Sequence, residues 1–449
     1  MRSLLHFFLI ILFCVLGVIT GILTGLLPGL HVNNIALILL SLSSAIIGAF
    51  SFLFEYGISE NFILILICVY IIATSISHTF HDTIPTTFLG APEGDTALSV
   101  LPAHSLLLEG KGYEAVALSA LGSYGAILFC FLLIYPIRLI IGEPLQFYST
   151  LQEIMLFILI AISILMIGTE KGKITAFGLK GKAPSVIGML FATFVFILSG
   201  IFGLVILDYP LDSPIGLSSP VLFPALAGLF GTPTLLTSLM TKPAIPKQKI
   251  EKISLSDDMK KSSILSVVTG SLAGILVSII PGITSATGTI LAMTARGESD
   301  KRQTIITLSA VNTACAFFVV VVLFIILRSR SGATLAAMEL IAVEEWTSIM
   351  LPTNLIYLLM TLLLGGTLSY FLTIKIGKIF ASHFANVPYQ LLIKLTITLI
   401  AILVFLFTGI MGLLILLVAT FIGLLPVQWG VRRSHCMGIL LIPIILYFL

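Results

Sequence analysis

Gly270-Ser-Leu-Ala-Gly274-Ile-Leu-Val-Ser278-Ile-Ile-Pro281-Gly282-Ile283 is matched without a gap by an earlier stretch, Gly17-Val-Ile-Thr-Gly21-Ile-Leu-Thr-Gly25-Leu-Leu-Pro28-Gly29-Leu30. Gly17 falls on Gly270, Gly21 on Gly274, Gly25 on Ser278, and the two Pro-Gly pairs on each other. A small residue at every fourth position makes a helix face on which another backbone can lie close, as small-xxx-small seams do in membranes. Proline then ends the helix, and glycine tolerates the sharp exit. Polar residues follow both breaks: His31, Asn33 and Asn34 in the first copy, Thr284, Ser285, Thr287 and Thr289 in the second. Packing and helix termination explain either copy alone. Broken helices at corresponding places in two halves are the sequence pointer to a transporter's midplane site.

Composition sets the solvent. The chain is 58% hydrophobic and 10% charged, with a mean hydropathy of +1.18, against roughly 25% charged in soluble proteins. Crossing a bilayer takes about 20 apolar residues per helix, and such runs fill most of the sequence, which predicts an all-α polytopic membrane protein. The runs lie at 4–27, 32–54, 61–77, 114–137, 151–168, 184–206 and 217–240, then at 262–280, 284–295, 304–327, 347–372, 389–408, 411–428 and 434–449. That is about fourteen segments, or as few as ten crossings if the short ones are re-entrant. Met1-Arg2 leads into the first run with no small-residue cleavage site, which reads as a retained helix.

The net charge of +3 is modest and sits in short loops, so it marks topology and gives no reason to invoke nucleic acid. Lys171, Lys173, Lys180 and Lys182 share one loop, and Lys242, Lys247, Lys249, Lys252, Lys260 and Lys261 share another. Arg296, Lys301 and Arg302, then Lys375 and Lys378, then Arg432 and Arg433 mark three more. With all five on the cytoplasmic side, the acid-bearing loops at Glu55 and Glu60, Asp208 and Asp212, and Glu339 to Glu345 face outward; only Arg2 opposes this. Seven crossings per half then insert the second half upside down, with the two Pro-Gly breaks entering from opposite faces. The expected units are a first transmembrane repeat over 1–241, a cytoplasmic linker over 242–261 and a second repeat over 262–449.

Two polar stretches interrupt the apolar pattern. His78-Thr-Phe-His81-Asp82-Thr83-Ile-Pro85-Thr86-Thr87 runs on to Gly90-Ala-Pro92-Glu93-Gly94-Asp95, and the second half answers with Asn312-Thr313 and Arg328-Ser-Arg330-Ser331. Irregular backbone at membrane depth needs protein or a water-filled cavity around it, and intramembrane ionisable groups are functional candidates. Glu93 and Asp95 suit a coupling cation, Na+ or H+, although a solvated loop tip explains them equally. Arg328 and Arg330 suit an anion through forked donors, or snorkel at the interface. His78 and His81 lack a third ligand for a metal. The five cysteines have no paired spacing, and no His-Glu-x-x-His, Gly-x-Ser-x-Gly or P-loop is present, so no enzyme, metal or cofactor is expected.

Gly21 to Leu30, Pro85 to Gly122, Ala225 to Leu236 and Gly274 to Thr334 together resemble the TctA-type large permease subunit of tripartite tricarboxylate transporters, and its stand-alone archaeal relatives in particular. The resemblance covers most of the chain to about residue 370 and implies a permease with its substrate path at the Pro-Gly regions. It implies substrate contacts at Pro28, Gly29, Asn33, Asn34, Pro281, Gly282, Thr284, Thr287 and Asn312; the residue reading adds Thr86, Thr87, Ser285, Thr313, Arg330 and Ser331. A small membrane subunit and a binding protein are the partners it implies, while Gly90-Ala-Pro92-Glu93 and Pro102-Ala-His104 depart from the bacterial pattern. A homodimer stays open. Two functions remain in play: a secondary transporter of a small organic anion, in the first place a carboxylate, coupled to a cation gradient, and a translocase of a polyprenyl-phosphate lipid carrier. An intramembrane enzyme using His78, His81 and Asp82 is the remote third.

Topology is testable directly: Lys180→Cys and Lys249→Cys should both be shielded from a membrane-impermeant thiol reagent added outside intact cells. Labelling of one and not the other breaks the charge-based topology.

Overall fold

The structure is a computed structural model that describes every residue except 1, 28–35, 37–38, 41, 91–99, 171–182, 217–220, 242–245, 252–256, 281–282, 298–299 and 384–388. In the first part α1 spans Arg2–Leu26, α2 Ser43–Ala49, α3 Glu60–His81, α4 Thr83–Leu89, α5 Val100–Leu108, α6 Gly112–Ile141, α7 Phe147–Glu153, α8 Met155–Gly168, α9 Ala183–Ile206, α10 Leu222–Leu226 and α11 Thr232–Thr241. In the second, α12 spans Asp257–Ile279, α13 Ser285–Arg296, α14 Lys301–Ile326, α15 Gly332–Leu340, α16 Thr353–His383, α17 Tyr389–Trp429 and α18 Gly438–Tyr447. Among the described residues nine helices are long and apolar enough to cross a membrane, or ten if the bent pair α7–α8 is one span. The protein is an all-α, multi-pass membrane protein.

The difference from fourteen apolar runs has local causes. The described part of run 32–54 holds the seven-residue α2, about two turns long, and a 3-10 turn, Ser51–Tyr56. Run 151–168 belongs to α7 and α8, which meet at a 70° bend. Run 284–295 is α13, whose 12 residues reach only about 18 Å at 1.5 Å per residue. Runs 389–408 and 411–428 form α17 across a kink at Gly409, where φ is 65°. Glycine is required there twice over, because a Cβ would also lie 2.7 Å from the Asp212 carbonyl oxygen.

Close approach between helices organises the rest. A Cβ at Gly17 would sit 2.5 Å from the Tyr70 carbonyl oxygen, and one at Gly21 would sit 2.6 Å from that of Thr74, so α1 lies on α3 and runs parallel to it. The same contact recurs between α12 and α14: Gly270 meets the Thr307 carbonyl at 2.7 Å and Gly274 that of Val311 at 2.5 Å. The third helix of each set comes from the other part of the chain. α16 packs along α3 in the same direction, with Tyr357 beside Phe62 and Gly365 beside Ile76. α6 packs along α14, with Ser119 and Ser123 at Ser309 and Phe131 at Phe317. α6 and α16 meet in opposite senses, Gly377 at Val116 and Tyr370 at Tyr124. The parallel set α1–α3–α16 therefore runs against the parallel set α6–α12–α14.

Contacts at the helix ends define two faces. On one, Lys301 pairs with Glu109 at 2.9 Å, and the segment after α11 docks on the turn before α6 through Lys249 N to Gly110 O (2.8 Å) and Gly112 N to Gln248 Oε1 (2.8 Å). On the other, Arg138 donates to the Trp346 and Thr347 carbonyls and stacks over the Trp346 ring. The lysine-bearing contacts fall on the first face and the loop around Glu345 on the second.

Gly274→Val should overpack the α12–α14 seam at a cost of about 1–3 kcal/mol, read as a lower unfolding midpoint of the purified protein in detergent. Gly48→Ala, with nothing within 4 Å, should leave the midpoint unchanged or raise it slightly.

Candidate substrate site

Pro28, Gly29, Asn33, Asn34, Glu93, Asp95, Pro281 and Gly282 lie outside the described residues. The second-half cluster beyond its break is described. Thr284 is the N-cap of α13, its hydroxyl accepting from Thr287 N at 3.5 Å. Ser285, 2% exposed, donates to Asn312 Oδ1 at 3.2 Å, which ties the start of α13 to the middle of α14. Thr287 is wholly buried and directs its hydroxyl at Met166 Sδ, 3.9 Å away, bringing α8 to the same place. Thr313 is wholly buried, and its hydroxyl has no hydrogen-bond partner. One turn back along α14, Ser309 exchanges a 2.7 Å hydrogen bond with Ser119 of α6. Serine and threonine are inexpensive at this depth because their hydroxyls can bond within a helix or across a seam. A helix N-terminus buried among such groups carries unsatisfied N–H donors and a partial positive charge, which suits an anion.

The first-half cluster is built differently. His78 Nδ1 lies 3.1 Å from Thr24 Oγ1, His81 Nδ1 2.7 Å from the Ser77 carbonyl, and Ser77 Oγ donates to the Val18 carbonyl at 2.9 Å. The carbonyl of Ser77 can only accept, so His81 carries its proton on Nδ1. Its Nε2 is left as a buried acceptor with no partner. Thr86 donates to the Asp82 carbonyl at 2.7 Å, whereas the wholly buried Thr87 hydroxyl has no partner. Among the described residues no group of three metal-ligating side chains is found.

Arg330 and Ser331 stand apart from these clusters. From Thr313 to Ile326, where α14 ends, the helix rises roughly 20 Å, so Arg330 belongs to the face that carries Arg138 and cannot share one small ligand with Asn312. Its Nη2 donates to Tyr148 Oη at 2.7 Å, its guanidinium lies 5.8 Å from that ring's centroid, and its Nε has no partner. Burial lowers the Arg330 pKa, with Arg328 adding to this and Tyr148 opposing it, and an arginine so placed keeps its charge. Ser331 is committed to α15: its hydroxyl accepts from Thr334 N at 3.2 Å, and the Thr334 hydroxyl accepts from Ser331 N at 3.0 Å in a reciprocal cap.

Sequence reasoning missed a buried ionic cluster at the end of α8. Glu170, 5% exposed, takes Arg432 Nε at 3.1 Å and Arg432 N at 3.0 Å, and lies 2.8 Å from His435 Nε2. The available signal was an acid closing an apolar run, with the Arg432-Arg433 pair read only as a topology mark.

No solved structure matches this chain. An uncharacterized protein of Methanocaldococcus jannaschii, MJ1079, is 27% identical over 444 residues, covering 98% of this chain and 99% of that one. The model of the tripartite tricarboxylate transporter TctA family matches residues 11–438. With the match spanning nearly the whole length, the chain belongs to the tripartite tricarboxylate transporter TctA family.

Proposed function

We propose that this protein is a secondary transporter of a small organic anion, a carboxylate, coupled to a cation gradient, whose two halves are inverted repeats about a central site. The observation that carries the reading is the buried start of α13, where Thr284, Ser285 and Thr287 meet Asn312 beside a helix break. The two oppositely directed helix sets support alternating access, since a rocking motion of one against the other exposes a central site to each face in turn. Glu93 and Asp95 remain the proposed coupling-ion residues, for Na+ or H+. In this reading Arg330 is the receptor at the outward mouth: half-buried, held on Tyr148, with an unpaired Nε. A small membrane subunit and a binding protein are partners that family membership makes reasonable, and association of two copies is compatible with it.

One observation favours the lipid-carrier reading. A 330 Å³ cavity beside α1 is lined by Phe13, Leu16, Ile19, Ile46, Phe50 and Ile67, with Thr20 and Tyr70 hydrogen-bonded at 2.6 Å on its wall. Such a groove suits an isoprenoid tail.

Uptake of radiolabelled citrate and succinate into proteoliposomes, under an imposed sodium or proton gradient, separates the readings. A carboxylate transporter accumulates one of these; accumulation of neither, with exchange of a prenyl phosphate between leaflets, moves the function to the lipid carrier. Arg330→Ala should weaken apparent affinity ten- to a hundredfold, in line with roughly 1.5–3 kcal/mol for a hydrogen bond to a charged group. Arg330→Lys should fall between, keeping charge but losing the fork. Ser331→Ala should cost about 1 kcal/mol of local stability, visible as faster hydrogen exchange in α15, with affinity unchanged. Parent-like uptake by Arg330→Ala removes this residue from the path.

A further inference from the structure

The Arg432-Arg433 pair sends its two guanidinium groups to different places. Arg432 turns to Glu170 and also caps the end of α8, donating Nη2 to the Met166 carbonyl at 3.0 Å and to Thr169 Oγ1 at 2.8 Å. Arg433 turns to the segment between α10 and α11, where Ala227–Gly231 forms a π-helical turn. Its Nη1 donates to the Phe230 carbonyl at 3.4 Å and to Thr234 Oγ1. Both acceptors are neutral. Among the described residues its Nε and Nη2 donate to nothing, and no carboxylate bonds this half-buried cation. An unpaired charge in such a setting is costly, and a forked donor with two open N–H directions has the geometry of a carboxylate receptor.

The surroundings point the same way. Thr234 abuts the end of α4, where a Cβ on Gly90 would come within 3.1 Å of Thr234 Cγ2. One turn back on α4 is Thr87, 0% exposed, whose hydroxyl has no partner; Ser434, 1% exposed and next to Arg433 in the chain, is in the same condition. Orphaned buried hydroxyls on the two segments that flank the Arg433–Thr234 contact, beside a guanidinium with open donors, are the kind of parts an oxyanion site uses. α4 comes from the first part of the chain and Arg433 from the second, so the site lies where the two meet.

We infer that Arg433, held in place by Thr234, whose own hydroxyl donates to the Phe230 carbonyl at 3.0 Å, forms with Thr87 a second oxyanion site on the lysine-bearing face, and that it takes the carboxylate of the transported anion on that side. The inference rests on the transporter reading for its ligand. It gives the path a cation at each end, Arg330 at one and Arg433 at the other, with the neutral hydroxyl cluster of α13 and α14 between them. Neither arginine then has to carry its anion through the middle.

The test uses the full chain, purified in detergent, with citrate, succinate, acetate, inorganic phosphate and, as control, chloride. Thermal unfolding midpoints are followed against anion concentration in the Arg330→Ala background, so that the other face contributes nothing. A carboxylate should raise the midpoint, and Arg433→Gln should raise the half-saturating concentration ten- to a hundredfold, with Arg433→Lys between. Thr87→Val, which removes no charge, should raise it about three- to tenfold through one lost hydrogen bond, and it serves if Arg433→Gln does not fold. No stabilisation by any carboxylate, stabilisation by phosphate alone, or parent-like titration of Arg433→Gln or Thr87→Val overturns the site. Proteoliposome uptake distinguishes the two claims. Carboxylate binding through Arg433 without uptake leaves the site and removes the transporter; full uptake by Arg433→Gln leaves the transporter and removes the site.

Discussion

Backbone-to-backbone contact at a few small residues is what the rest of this protein depends on. In a bilayer there is no hydrophobic drive to bring helices together, so dispersion contacts at short range and a few interhelical hydrogen bonds must do it. Gly17 and Gly21 on one seam, and Gly270 and Gly274 on the other, let α1 rest on α3 and α12 on α14 at distances where a Cβ would overlap a carbonyl oxygen. Gly122 does the same for α6 against the Ile306 carbonyl. These seams hold the polar residues of α3 and α14 inside the bundle, and without them Ser309, Asn312 and Thr313 would face lipid.

Polar chemistry is then distributed by depth. Among the described residues the cluster at α13 and α14 holds hydroxyls and the Asn312 amide, and α3 ends in the buried His78 and His81, with the Asp82 side chain, 4% exposed, directly after them. Charges stand on one face with Arg330 on Tyr148 and Arg138 on two carbonyls, while Glu170 sits buried between Arg432 and His435, one turn along α8 from the Met166 that Thr287 meets. A charged group near the bilayer centre costs several kcal/mol, and that cost falls toward the interface.

Much of this was legible in the sequence, for physical reasons. The duplicated small-residue seam could be read because glycine spacing reports helix contact directly, and Ser285 and Asn312 stood out as polar residues where apolar ones were expected. The depth separation of Arg330 from Asn312 was not legible, because a list of polar residues carries no distances; it took the uninterrupted length of α14 to put them at different levels. Ser331, read in the sequence as a candidate ligand group, caps α15 with its hydroxyl, a common use of serine before a helix. Glu170 escaped notice because its partners lie more than 260 positions away in the chain, and long-range ion pairing leaves no local pattern. The π-helical turn at Ala227–Gly231 was also hidden, since its sequence fits an ordinary helix equally well.

The exchange of third helices between the two parts of the chain bears on how the protein is made. α3 is synthesised and inserted early, yet one of its faces is covered by α16, whose residues begin at Thr353. α6 likewise waits for α14 before Ser119 and Ser123 find Ser309. During translation the early helices must therefore remain beside the insertion machinery, or among lipids, with a seam open for most of the elongation time. Assembly of the polar interior is a late, concerted event, and a chain that stops before about residue 383 would leave an incomplete bundle for membrane quality control to recognise.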